Sequence, residues 1–195
     1  MAPMTEIRIQ GRGGQGNVTA AYMLAQAAFE AGRFAQAFPS FGPERRGAPV
    51  AAFVRIDDRP IRRRCQIRDP KYVIIQDAGL LHAAGVAQRV PADGGILINS
   101  AKPVDELGLA AANGSVTAIA ATQLAVEILG EPIPNTALLA AFMTVSGILP
   151  LAALERVLCK RFEGAALERN LRLMREAAAR VASGSWKDSS GAPGN

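Results

Sequence analysis

Residues 11–16 read Gly-Arg-Gly-Gly-Gln-Gly, between a short alternating run, Ile7-Arg8-Ile9-Gln10, and a stretch from Asn17 to Ala31 rich in Ala, Leu and Met. The alternation suits a strand and the following apolar residues keep helical spacing, so the order is strand, tight loop, helix. Gly11, Gly13 and Gly16 fall in the register of a dinucleotide-binding fingerprint, in which backbone N–H groups at a helix N-terminus approach phosphate closely. That fingerprint also needs an acidic residue about 20 positions on, at the end of the second strand, to hold a ribose hydroxyl. Here the run Phe34-Ala35-Gln36-Ala37-Phe38 ends in Pro39-Ser40, and the next acid, Glu44, lies in another loop. Half of the fingerprint is present. Three readings stay open: glycines that only let strand and helix pack closely, a site for a phosphate-bearing cofactor, and a loop that contacts a partner.

Further short β-like runs lie at 34–38, 50–56, 72–76, 96–100 and 115–119, with helical patterns at 78–88 and 120–129 between the later ones. The runs at 72–76 and 96–100 are almost continuously apolar, as in strands covered on both faces. This predicts an α/β fold: a Rossmann-like, mostly parallel sheet with flanking helices. The rest of the chain reads as helical. Asn135 suits the N-cap of a helix over 136–147, a second helix follows over 151–162, and Leu167, Leu171, Met174, Ala178 and Val181 mark one face of a third. With 195 residues, 49% hydrophobic and 20% charged, the chain is long enough for one domain with a sizeable core and is neither collagen-like nor disordered. We expect a single domain over 1–182. The tail 183–195 mixes Gly, Ser, Pro and Asp around a lone Trp186 and reads as disordered or draped on a partner.

No basic start or apolar stretch of signal-peptide type opens the chain, which points to the cytoplasm. Pro132 to Leu154 carries no charge, but its prolines, Asn135, Ser146 and Gly147 divide it into two buried helices with a break near Pro150, not a membrane span. Cys65 and Cys159 stand 94 positions apart without a partner at metal-ligand spacing, so this chain alone supplies neither a zinc site nor an iron–sulfur cluster. His82, the only histidine, has no Ser or Cys nucleophile near it, and Asp77 and Asp93 sit where capping explains them. The residues therefore nominate no catalytic group and no metal ligand.

Charge is concentrated in one place. Arg45 to Arg68 holds eight arginines and two acids, a balance of +6, whereas the other 171 residues sum to −1. Such a cluster suits an acidic partner surface or a phosphorylated ligand such as coenzyme A, because guanidinium pairs carboxylate and phosphate bidentately; the alternative is a solvated hairpin face. Nucleic acid fits poorly, since no recognition-helix or zinc-finger pattern accompanies the charge.

Taken together, the loop at 11–16, the segment Phe38-Pro39-Ser40-Phe41-Gly42-Pro43-Glu44-Arg45-Arg46-Gly47-Ala48-Pro49, the following Val54-Arg55-Ile56, and Asn135 opening an apolar helix resemble the gamma subunit of 2-oxoacid:acceptor oxidoreductases. This is the thiamine-diphosphate-dependent pyruvate:ferredoxin oxidoreductase superfamily. The resemblance runs from about residue 5 to about residue 175, and its most specific part is the joint occurrence of the two loops. It implies a Rossmann-like domain that assembles with alpha, beta and delta-type subunits. The complex would oxidise a 2-oxoacid (pyruvate, 2-oxoglutarate, branched-chain or aryl) to acyl-CoA and CO2, passing electrons through [4Fe-4S] clusters to ferredoxin or to a flavin/NAD acceptor subunit.

By the same resemblance, Gly11, Gly13, Gly14, Gln15 and Gly16 form the cofactor-binding loop, and Phe41, Gly42, Pro43, Glu44, Arg45, Arg46 and Gly47 form a loop facing the partners and the coenzyme A side. The chain lacks the Gly-Asp-Gly to Asn-Asn segment that holds thiamine diphosphate through Mg2+, and it lacks cluster cysteines, so those groups would belong to other subunits. Arg62, Arg63 and Arg64 in a row depart from the family pattern. The competing function is a stand-alone nucleotide-binding module. No contact with membrane or nucleic acid is expected.

Overall fold

The structure, a computed structural model, describes residues 4–40, 48–81, 87–109 and 112–188. Six strands form one sheet in the order β2-β3-β1-β4-β5-β6: β1 (Thr5–Arg12), β2 (Phe34–Ser40), β3 (Pro49–Asp57), β4 (Tyr72–Ile75), β5 (Gly95–Asn99) and β6 (Ser115–Ile119). Only β3 runs against its neighbours, while β1, β4, β5 and β6 pair in parallel. The chain leaves β1 towards β2 and β3 on one side, then returns to build β4, β5 and β6 on the other. That reversal opens a crevice beyond the carboxyl ends of β1 and β4, where open α/β sheets bind their ligands. Gly11–Gly16 follow β1 at this crevice, and Gln76-Asp77 follow β4.

One face of the sheet carries the helices α1 (Asn17–Glu30), α2 (Ala121–Leu129), α3 (Asn135–Ser146), α4 (Leu151–Arg161) and α5 (Gly164–Ala179). Ile7, Ile9, Val54, Ile56, Tyr72, Ile74 and Leu97 meet them in the larger core. Helix α3 is buried almost all round, which explains its membrane-like sequence: it is wrapped by sheet and by helices, and no described helix is long and apolar enough to cross a membrane. Gly147 in the left-handed conformation ends α3, and Pro150 precedes α4. The break expected near Pro150 lies there.

The opposite face is covered differently from the expectation. The pattern over 78–88 predicts a helix, yet the described residues form two short 3-10 turns, Ala78–Leu80 and Ala87–Arg89. Asp77 starts the first by accepting the Gly79 N–H, and its Ala-Gly-Leu sequence contains glycine, which weakens a helix more than any residue but proline. These turns supply Leu81, Ala87 and Val90 to a smaller core on Val73, Ile75, Ile96 and Ile98.

The boundary expected at residue 182 also moves. Gly184 donates its N–H to the Thr144 carbonyl, and a short helix α6 (Ser185–Asp188) follows. Trp186 is 3% exposed. Its ring stacks on Tyr72 with centroids 5.5 Å apart, and its Nε1–H donates to Thr117 Oγ1 at 3.1 Å. Hydrophobic burial outweighs the Gly- and Ser-rich composition around it.

Candidate functional site

The glycine loop is held from inside. Arg12 N–H donates to Gln15 Oε1 at 2.7 Å, Asn17 Nδ2 donates to the Arg12 carbonyl at 3.3 Å, and Gly13 N–H donates to the Ala48 carbonyl at the foot of β3 at 2.9 Å. Gly11 makes room for this, since a Cβ there would overlap Asn17 Oδ1 and Gln15 Oε1. Gly11→Ala should displace both side chains and cost about 1–3 kcal/mol, the usual range for overpacking, read as a lower midpoint in urea unfolding. Gly16, at φ 77°, precedes α1, whose first turn has no side-chain cap. Gly14, at φ 93°, has open space where a Cβ would stand. Backbone at Gly14 and Gly16 is thus presented at an uncapped helix N-terminus, the arrangement that favours an anion.

Arg12 closes the other side of the crevice, its Nε 2.6 Å from Asp77 Oδ2. Partial burial pushes the Asp77 carboxyl up, but the hydrogen bonds from Arg12 and the Gly79 N–H outweigh it and leave the pKa below the ordinary aspartate value. A lowered native pKa means stabilisation that is complete above the unfolded value of about 3.9 and is lost as pH falls through the native value. Melting temperature should therefore drop on acidification below about pH 4, and Asp77→Asn should remove part of that drop. An identical pH profile for Asp77→Asn would contradict the bridge.

A chain of buried amides ties the loop to the neighbouring elements. Gln76, 3% exposed at the end of β4, donates from Nε2 to Asn135 Oδ1 at 2.9 Å, and Asn135 Nδ2 donates to the Gly16 carbonyl at 3.4 Å. Asn135 is therefore not the N-cap that the sequence predicts. Pro134 holds that position, and the Asn135 side chain crosses to the glycine loop. Asn99 Nδ2 donates to the Gln76 carbonyl at 2.9 Å, and Thr136 Oγ1 donates to Asn170 Oδ1 at 2.9 Å. Beside the loop, Asn17 Oδ1 and Gln76 Oε1 are buried without a donor among the described residues. Such acceptors are costly unless something supplies a proton to them.

Between the loop, α1, α3 and α5 lies a cavity of about 460 Å3, within the size range of small-molecule sites. Met23, Leu129, Ile133 and Phe162 make its apolar wall, while Gly14, Gly16, Asn170, Arg161 and Arg169 are on its polar side together with one acid, Glu131. Of the predicted cofactor-binding residues, Gly14, Gln15 and Gly16 border this cavity, whereas Gly11 and Gly13 shape the turn behind it. Gln76, Arg161, Arg169 and Asn170 are not found by the sequence reading. A signal existed for Asn170, which lies three positions from Leu167 and four from Met174, on the apolar face of α5.

The predicted partner loop, Phe41 to Gly47, lies outside the described residues, as does His82. Both cysteines are exposed and unpaired, and among the described residues no group of three His, Cys, Asp or Glu is placed to hold a metal ion.

Comparison with known proteins decides the lineage. The family model of pyruvate ferredoxin/flavodoxin oxidoreductase matches residues 6–180. The chain belongs to this family. It is 49% identical over 167 residues to the pyruvate synthase subunit PorC of Methanocaldococcus jannaschii, covering 86% of this chain and 91% of that protein. Over 176 residues it is 44% identical to the pyruvate/ketoisovalerate oxidoreductases common subunit gamma of Pyrococcus furiosus, covering 89% of this chain and 95% of that one. Among solved structures, the pyruvate oxidoreductase subunit PORC of Thermotoga maritima superposes with a TM-score of 0.82 at 36% identity, covering 91% of this chain and 97% of that one. The α/β fold expected from the sequence, with its mostly parallel sheet, is the one shared with the Thermotoga maritima subunit.

Proposed function

We propose that this chain is the gamma subunit of a multi-subunit 2-oxoacid:acceptor oxidoreductase that converts a 2-oxoacid to acyl-CoA, CO2 and reduced acceptor. Its own part is to build the coenzyme A side of the active site. The observation that carries this role is the cavity of about 460 Å3 at the uncapped N-terminus of α1, with Gly14, Gly16, Arg161 and Arg169 on its polar side.

The residues present fit coenzyme A. Backbone at Gly14 and Gly16 would receive phosphate, with Arg161 and Arg169 as counter-charges, and the apolar wall would take the thinner part of the ligand. When bound, coenzyme A supplies the thiol that accepts the acyl group. This chain's residues orient it and exclude water from the apolar wall. Thiamine diphosphate with Mg2+ and the [4Fe-4S] clusters would be held by alpha, beta and delta-type partners, to which the loop at Phe41–Gly47 would dock, and electrons would leave to ferredoxin or to a flavin/NAD subunit. The stand-alone nucleotide module is less well supported, because β2 ends in Pro39-Ser40 without the ribose-binding acid.

In the anaerobically purified complex, Arg161→Glu with Arg169→Glu should raise the KM for coenzyme A by about tenfold or more, as expected for lost charge-assisted hydrogen bonds. Exchange of labelled CO2 into the 2-oxoacid should continue unchanged. An unaltered KM would remove this cavity from the coenzyme A site.

A further inference from the structure

We propose that the crossover between β3 and β4 is a docking platform for an acidic surface on another subunit of the complex, seated through Arg62, Arg64 and Arg68. It rests on the reading of this chain as a subunit. The platform is built on Arg55, whose side chain is 0% exposed. From β3, its Nε donates to Glu6 Oε1 at 2.8 Å and its Nη1 to Gln36 Oε1 at 3.3 Å and to the Arg63 carbonyl at 3.2 Å. Its Nη2 donates to the Cys65 carbonyl, and the guanidinium lies 5.1 Å from the Phe38 ring centroid. Ile67 and Pro70 are buried on either side of Arg68. A fully buried guanidinium spent on two loop carbonyls fixes the crossover backbone, which a solvated hairpin face would not need.

On this fixed backbone, Arg62, Arg64 and Arg68 are exposed, and among the described residues none of them makes an ion pair or hydrogen bond. Arg63 approaches Glu6 at 3.7 Å. A recess of about 380 Å3 opens between Arg63, Gln66, Arg68 and Glu6. On the same sheet face Arg8 stands opposite Phe53, and its Nε is buried without an acceptor among the described residues. Gln66 Nε2 donates to Ser40 Oγ at 3.3 Å, so the platform adjoins the end of β2.

Two features choose the occupant. Every basic residue from 45 to 68 is Arg and none is Lys, as permanent interfaces prefer, because the planar fork loses little freedom on pairing. Acids also stand here: Glu6 and Asp69 line the recess, and Asp57 and Asp58 lie where β3 gives way to the crossover. A protein surface of mixed charge can match both signs, whereas a uniform polyanion such as nucleic acid meets repulsion there.

The test uses the anaerobically purified complex. Arg64→Lys keeps the charge and places an amine on the platform, and a carbodiimide should then link position 64 to an Asp or Glu of another subunit. Separately, Arg62→Glu with Arg64→Glu should weaken retention of this chain by about tenfold or more, seen as release at lower salt, as for lost interfacial charge pairs. The same charge change by Arg172→Glu with Arg180→Glu, exposed on and just beyond α5, should leave retention unchanged. Unchanged retention without a crosslink overturns the proposal, and so does a crosslink found only to an added acidic electron carrier or to RNA. If the wild-type chain joins no subunit at all, the proposed function fails first.

Discussion

Trp186→Ala should unfold the chain at a melting temperature about 6–20 °C lower than wild type. The ring fills a site shared by Tyr72, Phe142 and Thr117, stacked on the first at 5.5 Å, edge-on to the second at 6.1 Å and hydrogen-bonded to the third at 3.1 Å. Truncating a buried Trp costs about 3–5 kcal/mol through lost transfer energy and the cavity left behind. In a domain of this length each kcal/mol moves the midpoint by about 2–4 °C. The floor of the site is Gly95, where a Cβ would overlap the indole, so Gly95→Ala should be destabilising for the same reason approached from the sheet. Trp186→Phe keeps most of the apolar volume and should recover more than half of the loss. Wild-type melting in Trp186→Ala would mean that α6 does not pack on the sheet in solution.

Removing the Glu6 carboxylate should have an effect of similar size. Arg55 is wholly buried and Glu6 is its only acidic partner among the described residues. Glu6→Ala leaves an uncompensated buried guanidinium, which costs about 3–5 kcal/mol, the range measured when one partner of a buried pair is removed. Glu6→Gln retains an acceptor oxygen and should cost less. A second readout is trypsin. Arg62, Arg63 and Arg64 are exposed but their backbone is held by Arg55, so wild type should be cut slowly after them and Glu6→Ala quickly. Equal cleavage rates would show that Arg55 does not fix the crossover.

How much of this was legible in the residues depends on which force decides each element. Where local pattern and burial agree, the elements lie at the expected positions: the strand, glycine loop and α1, the apolar β4 and β5, β6, and the three C-terminal helices. Where tertiary context overrides pattern, the expectations differ. Residues 78–88 carry a helical composition, but Asp77 caps a 3-10 turn over Ala78–Leu80 and bonds Arg12. Arg55 sits in a strand whose alternation puts Val54 and Ile56 on the helix face. Residue type alone assigns it to solvent, and only the crossover folding back over it supplies the carbonyls that permit burial. Trp186 lies amid glycine and serine, where composition argues for disorder, yet one large ring outweighs it.

The candidate site divides the same way. The glycine loop is readable because strand, turn and helix are contiguous in sequence. Its surroundings are not, since Gln76, Asn135 and Asn170 come from β4, α3 and α5 and meet only after folding. Asn135 illustrates the limit: a helix-opening Asn reads as a cap, and nothing local distinguishes that from an amide reaching 119 positions back to Gly16.

The most direct test of the central claim is to tag this chain, purify it anaerobically with its natural partners, and measure 2-oxoacid-dependent reduction of an electron acceptor with and without coenzyme A. The chain alone should show no turnover, the assembled complex should form acyl-CoA, and omitting this chain should abolish acyl-CoA formation. A complex that forms acyl-CoA at an undiminished rate without this chain would contradict it, as would an isolated chain that binds nucleotide and joins no partner after coexpression with them.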